Sequence, residues 1–166
     1  MTAGGLESGP INVANDHHCF GCGRLNAHGL QLTFFPDEDG SGVWATWTPT
    51  SAFEGYEGVI HGGIVCTILD EVMAWSLYRR RIWAVTGQLS TRFRRPVRVG
   101  EPVRAVGMIL KDRGRTIEVR GELRRDEDGA LLAEATALFV RVPAAQAAAW
   151  NERYLGAARA DVAEER

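Results

Sequence analysis

A helix that is apolar on nearly every side constrains this chain more than any other feature. Residues 58–75 read GVIHGGIVCTILDEVMAW, and the spacing predicts a helix from His61–Gly62 to about Arg79. Ile64, Val65, Ile68, Leu69, Val72, Met73 and Trp75 cover most of its circumference. Thr67, Asp70, Glu71, Ala74 and Tyr78 leave only a narrow stripe of polar or small residues. Such a helix is not a surface element, so the rest of the chain must wrap it. The two adjacent carboxylates, Asp70 and Glu71, then need a reason of their own.

The flanking segments supply the wrapping. LQLTFF (30–35), the turn PDEDGSG (36–42) and VWATWTP (43–49) predict a β-hairpin. Downstream, strands are predicted over 84–95, 103–112, 115–125 and 130–142, separated by turn signals at 96–102, 113–114 and 126–129. The third of these alternates Ile117, Val119 and Leu123 with Glu118, Arg120, Glu122 and Arg124, a strand wet on one face. One buried helix with meandering strands gives an α+β fold, a curved antiparallel sheet wrapped around one long central helix.

Length and charge bound the rest. The 166 residues, 45% of them hydrophobic and five of them tryptophan, suffice for one core and not for two ordinary domains. The expected division is a flexible arm over 1–16, a domain over 17–142 that opens with a Cys/Gly-rich cap, and a helical tail over 143–166. A net charge of −2 gives no global case for nucleic acid or for an anionic membrane. The opening MTAGGLESGP lacks the basic start and apolar stretch of a signal peptide. No apolar run reaches the ~20 residues a bilayer needs. Three cysteines do not make a disulfide framework at this size, so a reducing, cytoplasmic setting is expected.

Three pieces of the sequence resemble the hotdog-fold acyl-CoA thioesterase superfamily, in its phenylacetate-degradation branch: CFGCGRLNAHGL (19–30), GYEGVIHGGIVCTILDEVMAW (55–75) and LSTRFRRPVRVGE (89–101). The resemblance implies a hotdog fold and an acyl-CoA substrate, with no cofactor beyond the coenzyme A of that substrate. It places the catalytic carboxylate on Asp70 and the carbonyl-polarising amide on Gly62. A threonine that assists catalysis in a related branch falls on Thr86. Phenylacetyl-type members carry an Asn where this chain has Gly55.

The residues themselves argue in the same direction. Gly62 and Gly63 at a helix start expose N–H groups without intrahelical partners, at the positive end of the helix dipole. An oxyanion donor of that kind is worth ~3 kcal/mol in a transition state. Asp70 lies eight residues on, roughly 12 Å along the axis, too far to act on the same carbonyl from the same chain. A homodimer, or a dimer of dimers, with antiparallel helices would bring Asp70 of one copy beside Gly62 of the other. His61, Gly63 and Glu71 are expected to line the substrate site, and Arg92 and Arg94 to hold the phosphates of coenzyme A.

Blander alternatives stand beside these. Asp70 and Glu71 would also suit a solvated helix edge, with Glu71 in an ion pair or hydrogen bond. His61 would also suit a loop-fixing hydrogen bond. Simple alternation puts Thr86 on the face opposite Val85, so either the strand twists there or Thr86 is a surface residue. Arg92 and Arg94 fit an ordinary charged face equally well. His17, His18, Cys19, Cys22 and His28 contain a CxxC, yet three of these are consecutive and converge poorly, so no metal is expected and the segment reads as a loop cap. Trp44, Trp47, Phe53, Tyr56, Trp75 and Trp83 fill either a pocket or the core. Two rival functions use the same pocket: an acyl-CoA-sensing module without hydrolysis, and a hydratase or dehydratase. His61 is the last histidine of the chain, which leaves no downstream His for an Asp–His hydratase pair.

Overall fold

The computed structural model describes residues 9–156 of the chain. Strands β1 (Phe35–Pro36) and β2 (Gly42–Trp47) make a short hairpin. A second one, β3 (Glu54–Tyr56) with β4 (Val59–Ile60), delivers the chain to helix α1 (Gly62–Tyr78). Then come β5 (Ala84–Phe93), β6 (Val103–Asp112), β7 (Thr116–Arg125), β8 (Leu131–Arg141) and helix α2 (Ala144–Asn151). A π-helical turn over Glu152–Gly156 extends α2.

A six-stranded sheet in the order β1-β2-β6-β7-β8-β5, antiparallel throughout, holds the helix. Helix α1 packs on β2, β5, β6, β7 and β8. A sheet that touches one helix with five strands must curl around it, and this is the α+β hotdog architecture. Val65, Ile68, Leu69, Val72, Met73 and Leu77 are buried on the helix, facing Val103, Ala105, Ile117, Val119 and Leu123 of the sheet. Gly107 and Gly121 are directly opposed on β6 and β7. A Cβ on Gly107 would stand 2.4 Å from the Val72 carbonyl oxygen, and one on Gly121 would stand 3.1 Å from Met73 Cγ. The helix therefore rests in a notch that these two residues leave open. On the outer face, Glu122 of β7 and Glu134 of β8 oppose one another, and Arg94, Arg120 and Arg124 pair with them.

The ends of α1 are set locally. His61 Nδ1 accepts the Gly63 N–H at 2.9 Å, an N-cap made by an imidazole. At the other end Ile82 N–H bonds to Leu77 O and Arg81 N–H to Tyr78 O. That is a Schellman motif, with Arg81 at φ 58 where glycine is usual.

Two expectations change. Residues 30–34 form no strand and do not pair with β2, and Gln31 among them takes a left-handed φ of 51. Leu30 N–H bonds to Phe20 O, Leu32 N–H to Gly21 O, and Phe34 N–H to the Asn12 side chain. Leu30, Leu32 and Phe34 still alternate into the core, so the apolar period was real and the partner strand was not β2. The expected arm is also tied down in its described part. Ile11 N–H bonds to Phe34 O, and buried Asn12 bridges Leu32 and Phe34. Residues 1–8 of the arm and 157–166 of the tail lie outside the described residues. Among the described residues, no helix is long and apolar enough to cross a membrane.

Candidate active site

Asp70 meets Thr86: the Thr86 hydroxyl donates to Asp70 Oδ1 at 2.6 Å. The contact depends on a β-bulge. Thr86 pairs with Phe139 and Gln88 with Leu138, so Gly87 is an extra residue in β5. One extra residue reverses the alternation. Thr86 faces the helix ahead of the bulge and Thr91 faces it beyond, where Cys66 Sγ lies 3.5 Å from Thr91 Oγ1. Val85 is turned outward and 47% exposed. Thr86 is itself exposed, and the irregular strand turns its hydroxyl to Asp70. Burial pushes the Asp70 carboxyl above the ordinary range, opposed by the Thr86 hydrogen bond.

Gly62 is the first residue of α1, and among the described residues its N–H has no hydrogen-bond acceptor. The Gly63 N–H is occupied by the His61 ring. The two glycine amides therefore differ, and one free donor remains in place of the expected pair. His61 holds the helix start by hydrogen bonding, the blander of its two sequence roles. A Cβ on Gly55 would come within 3.0 Å of His61 Cα, so this position packs against His61 and has no room for an asparagine as it stands. The Phe93 ring lies beside Gly62 yet is 54% exposed. Gly62 begins the helix and Asp70 is its middle residue, and the structure does not bring them together within one chain.

Arg92 of β5 and Arg94, just past its end, lie beside Arg120 and Glu134 around a cavity of 300 Å³. Arg94 donates through Nε and Nη2 to Glu134. Arg92 makes no ion pair among the described residues. Both belong to the outer arginine–carboxylate face of the sheet, opposite the helix.

Glu71 follows Asp70 by about 100° around the helix and faces a different part of the molecule. Its Oε1 accepts the Trp75 Nε1–H at 3.3 Å and lies 3.6 Å from Cys19 Sγ. A Cβ on Gly21 would collide with the Glu71 side chain at 2.5 Å, so the cap loop packs its backbone onto the carboxylate. Among the described residues no arginine or lysine pairs with Glu71. Burial pushes its carboxyl up to about 7. Donation from Cys22, together with the Cys22 and Gly21 amides, holds the Cys19 thiol down at about 5, and the Cys22 thiol is pushed up. Next to this cluster is a cavity of 460 Å³ with His17 and His18 at the cap side. Trp75, Tyr78, Trp83, Trp150 and Tyr154 form its aromatic wall. The predicted polar stripe thus divides: Thr67 bonds back to Gly63 O, Asp70 goes to β5 and Glu71 goes to the cap.

The sequence assigns Trp150 and Tyr154 no role beyond the helical tail. Both rings pack near Trp83, Trp150 edge-on and Tyr154 tilted, Tyr154 also meets His17, and Arg153 bonds to Asp16. The available signal was two aromatics four residues apart in an alanine-rich segment, the spacing of one helical face.

A sequence profile of the Thioesterase superfamily matches residues 57–132. An uncharacterized protein of Schizosaccharomyces pombe is 32% identical over 122 residues, which are 70% of this chain and 70% of that one. The Xenopus laevis acyl-coenzyme A thioesterase THEM4 is 25% identical over 114 residues, covering 69% of this chain and 51% of the relative. This chain thus spans about half the length of the frog protein. The crystal structure of a thioesterase superfamily protein matches with a TM-score of 0.69 at 32% identity, over 74% of this chain and 60% of the other.

Proposed function

Because this chain belongs to the thioesterase superfamily, we propose that it hydrolyses an acyl-coenzyme A thioester at a site shared by two copies of itself. The Thr86–Asp70 hydrogen bond carries the reading. It fixes Oδ1, leaves Oδ2 for a water molecule, and sits on a partly buried carboxyl whose raised pKa suits a general base. The Gly62 N–H, unpaired in the chain, receives the oxygen of the thioester as it gains charge. Water loses a proton to Asp70 and adds to the carbonyl carbon. The tetrahedral intermediate then collapses, the carbon–sulfur bond breaks, and the leaving thiolate takes the proton back from Asp70.

The self-association follows from distance and from the free edge. About 12 Å of helix separates Gly62 from Asp70, so each acts with the other copy's partner group. Among the described residues strand β5 pairs only with β8, its far edge is open, and Val85 and Phe93 are exposed there. Antiparallel apposition of two such edges and their helices gives two equivalent sites, in a homodimer or a dimer of dimers. Arg92, free of ion pairs among the described residues, is available to the coenzyme A phosphates, while Arg94 already serves Glu134. The three free cysteines support a reducing, cytoplasmic setting.

A mixing experiment tests both claims. Asp70→Asn removes the base. Gly62→Pro removes the donor at little structural cost, because proline suits the first helical position and His61 at ψ 133 suits the residue before it. Each variant alone should lose coenzyme A release on an acyl-CoA panel by orders of magnitude. Co-refolded in equal amounts they should recover about a quarter of wild-type turnover, since half the dimers are mixed and each has one intact site. No recovery, with mixed dimers demonstrated, would sink the shared site. A wild-type protein that binds acyl-CoA and releases no coenzyme A would sink hydrolysis in favour of a sensing module.

A further inference from the structure

We propose that Cys19, Cys22 and Glu71 form a divalent-cation site of the zinc type, which pins the cap loop to helix α1 and turns its fourth coordination position toward the aromatic cavity. The inference is independent of the thioesterase reading, because neither Asp70 nor Gly62 takes part in it.

The distances fit. The two Sγ atoms and a carboxylate oxygen of Glu71 all lie within 4.8 Å of one another. Zinc binds thiolate sulfur at ~2.3 Å and carboxylate oxygen at ~2.0–2.2 Å in a tetrahedral array. Those bond lengths require a sulfur–oxygen edge of about 3.5 Å, and Cys19 Sγ stands 3.6 Å from Glu71 Oε1. Two sulfurs and one carboxylate gathered this closely are a donor set that suits a zinc-type ion.

The loop is also built for this convergence. Residues 19–23 read CFGCG, and the Gly23 N–H closes the turn onto Cys19 O at 2.9 Å. A Cβ on Gly21 would strike the Glu71 carboxyl group, and a Cβ on Gly23 would lie 2.2 Å from His17 O. Both glycines therefore exist for close approach, the first of them to the proposed ligand itself. A carboxylate on an apolar helix, without a lysine or arginine partner among the described residues, either holds a proton or meets a positive charge. A metal ion supplies it and leaves the thiols deprotonated.

The adjacency of His17, His18 and Cys19, which argues against a metal in the sequence, ceases to matter here. The separated ligand comes from α1, not from a second motif. Beyond the three ligands lies the cavity lined by His17 and His18, so a water molecule or an imidazole completes the tetrahedron.

The test uses the whole chain, purified with reductant and without chelator. Elemental analysis should find one zinc per chain. Cobalt(II) added to the metal-free protein should give a thiolate-to-metal charge-transfer band and intense ligand-field bands of tetrahedral type. Cys19→Ser and Cys22→Ser should abolish the charge-transfer band or cut it sharply, and Glu71→Gln should weaken cobalt affinity by ~10–100-fold or more. Because a variant may lose its fold instead of its ligand, the wild type gives a second readout: metal should shield two thiols from a thiol reagent, and a chelator should expose them without loss of far-ultraviolet circular dichroism. The proposal is overturned by fully reduced wild-type protein that takes up no metal, by a Cys19–Cys22 disulfide in protein prepared this way, or by folded Glu71→Gln with unchanged affinity.

Discussion

Substituting Gly107 by alanine should cost this fold far more than the same change at Gly121, its cross-strand neighbour. The added methyl at 107 would lie 2.4 Å from the Val72 carbonyl oxygen, 2.7 Å from its carbon and 3.0 Å from the Met73 nitrogen. All three are helix backbone and have no rotamer to change. Carbon contacts settle near ~3.5 Å, so helix and sheet must part by something approaching ~1 Å, a gap that forfeits a quarter to a half of each dispersion well along that contact. Overpacking of this kind costs up to about 3 kcal/mol, which at this chain length lowers Tm by about 6–12 °C. At Gly121 the neighbours are Met73 Cγ at 3.1 Å and Leu69 Cδ2 at 3.3 Å, both side-chain atoms and not backbone. Their adjustment is offset by the ~0.5–1 kcal/mol that alanine gains over glycine in a strand, so Gly121→Ala should be close to neutral. Urea denaturation of both variants at one protein concentration measures the difference. Equal losses at the two positions, or a Gly107→Ala variant within ~0.5 kcal/mol of wild type, would mean that the notch does not set the height of the helix.

Thr86→Val keeps the shape of the side chain and removes the donor to Asp70, a hydrogen bond to charge worth ~1.5–3 kcal/mol before solvent screening. The expected result is a fall in kcat of about tenfold or more with KM little changed, and an unaltered kcat would take Thr86 out of the mechanism. Arg81→Gly relieves a left-handed residue that ordinarily costs ~1 kcal/mol, so its urea midpoint should rise, and a fall would show that the Arg81 side chain matters more than its backbone. Arg94, ahead of Arg120, holds the Glu134 carboxyl below its ordinary range. A depressed acid stabilises the fold above its unfolded pKa, ~4.3 for Glu, and that share is lost as pH falls through the lower folded value. Stability of the wild type should therefore drop more steeply below about pH 4.3 than that of Glu134→Gln, and parallel curves would remove Glu134 from the acid limb.

The parts of the fold that the sequence made legible are those governed by period. Strand β7 could be placed by its repeat of 2, and helix α1 by a long apolar run with a narrow polar stripe at helical spacing. The same rule misled at two points. Leu30, Leu32 and Phe34 alternate as a strand should, but a period names a buried face and not a partner, and here the partner is the segment around Asn12 and Phe20. In β5 the alternation is broken by Gly87, and a single bulge moves Thr86 to the helix side while Val85 goes out. A glycine inside a strand is the only trace such a bulge leaves in sequence. The site divides along the same line. Asp70 and Thr86 could be paired across sixteen residues by resemblance, whereas the meeting of Glu71 with Cys19 spans fifty-two residues and depends on where a loop without any period comes to rest.

That meeting bears on why the two acids are adjacent. Neighbours on a helix diverge by about 100°, so one turn can serve two surfaces at once: Asp70 at the open β5 edge, and Glu71 under the cap. Their environments are linked through the rotation of α1 about its own axis. Its N-terminus is held by His61 on Gly63, and its middle by Val72 seated over Gly107. A small rotation would shorten one contact only by lengthening the other. Anything that ties Glu71 to the cap therefore also fixes the direction of Asp70, and a cation at Cys19 and Cys22 would stiffen the acid that the reaction requires without touching substrate. Releasing that cation should loosen the Asp70–Thr86 pair first, seen as faster hydrogen exchange at β5 than at β6 or β7. Uniform exchange across the three strands would mean that the two acids, though adjacent, act independently.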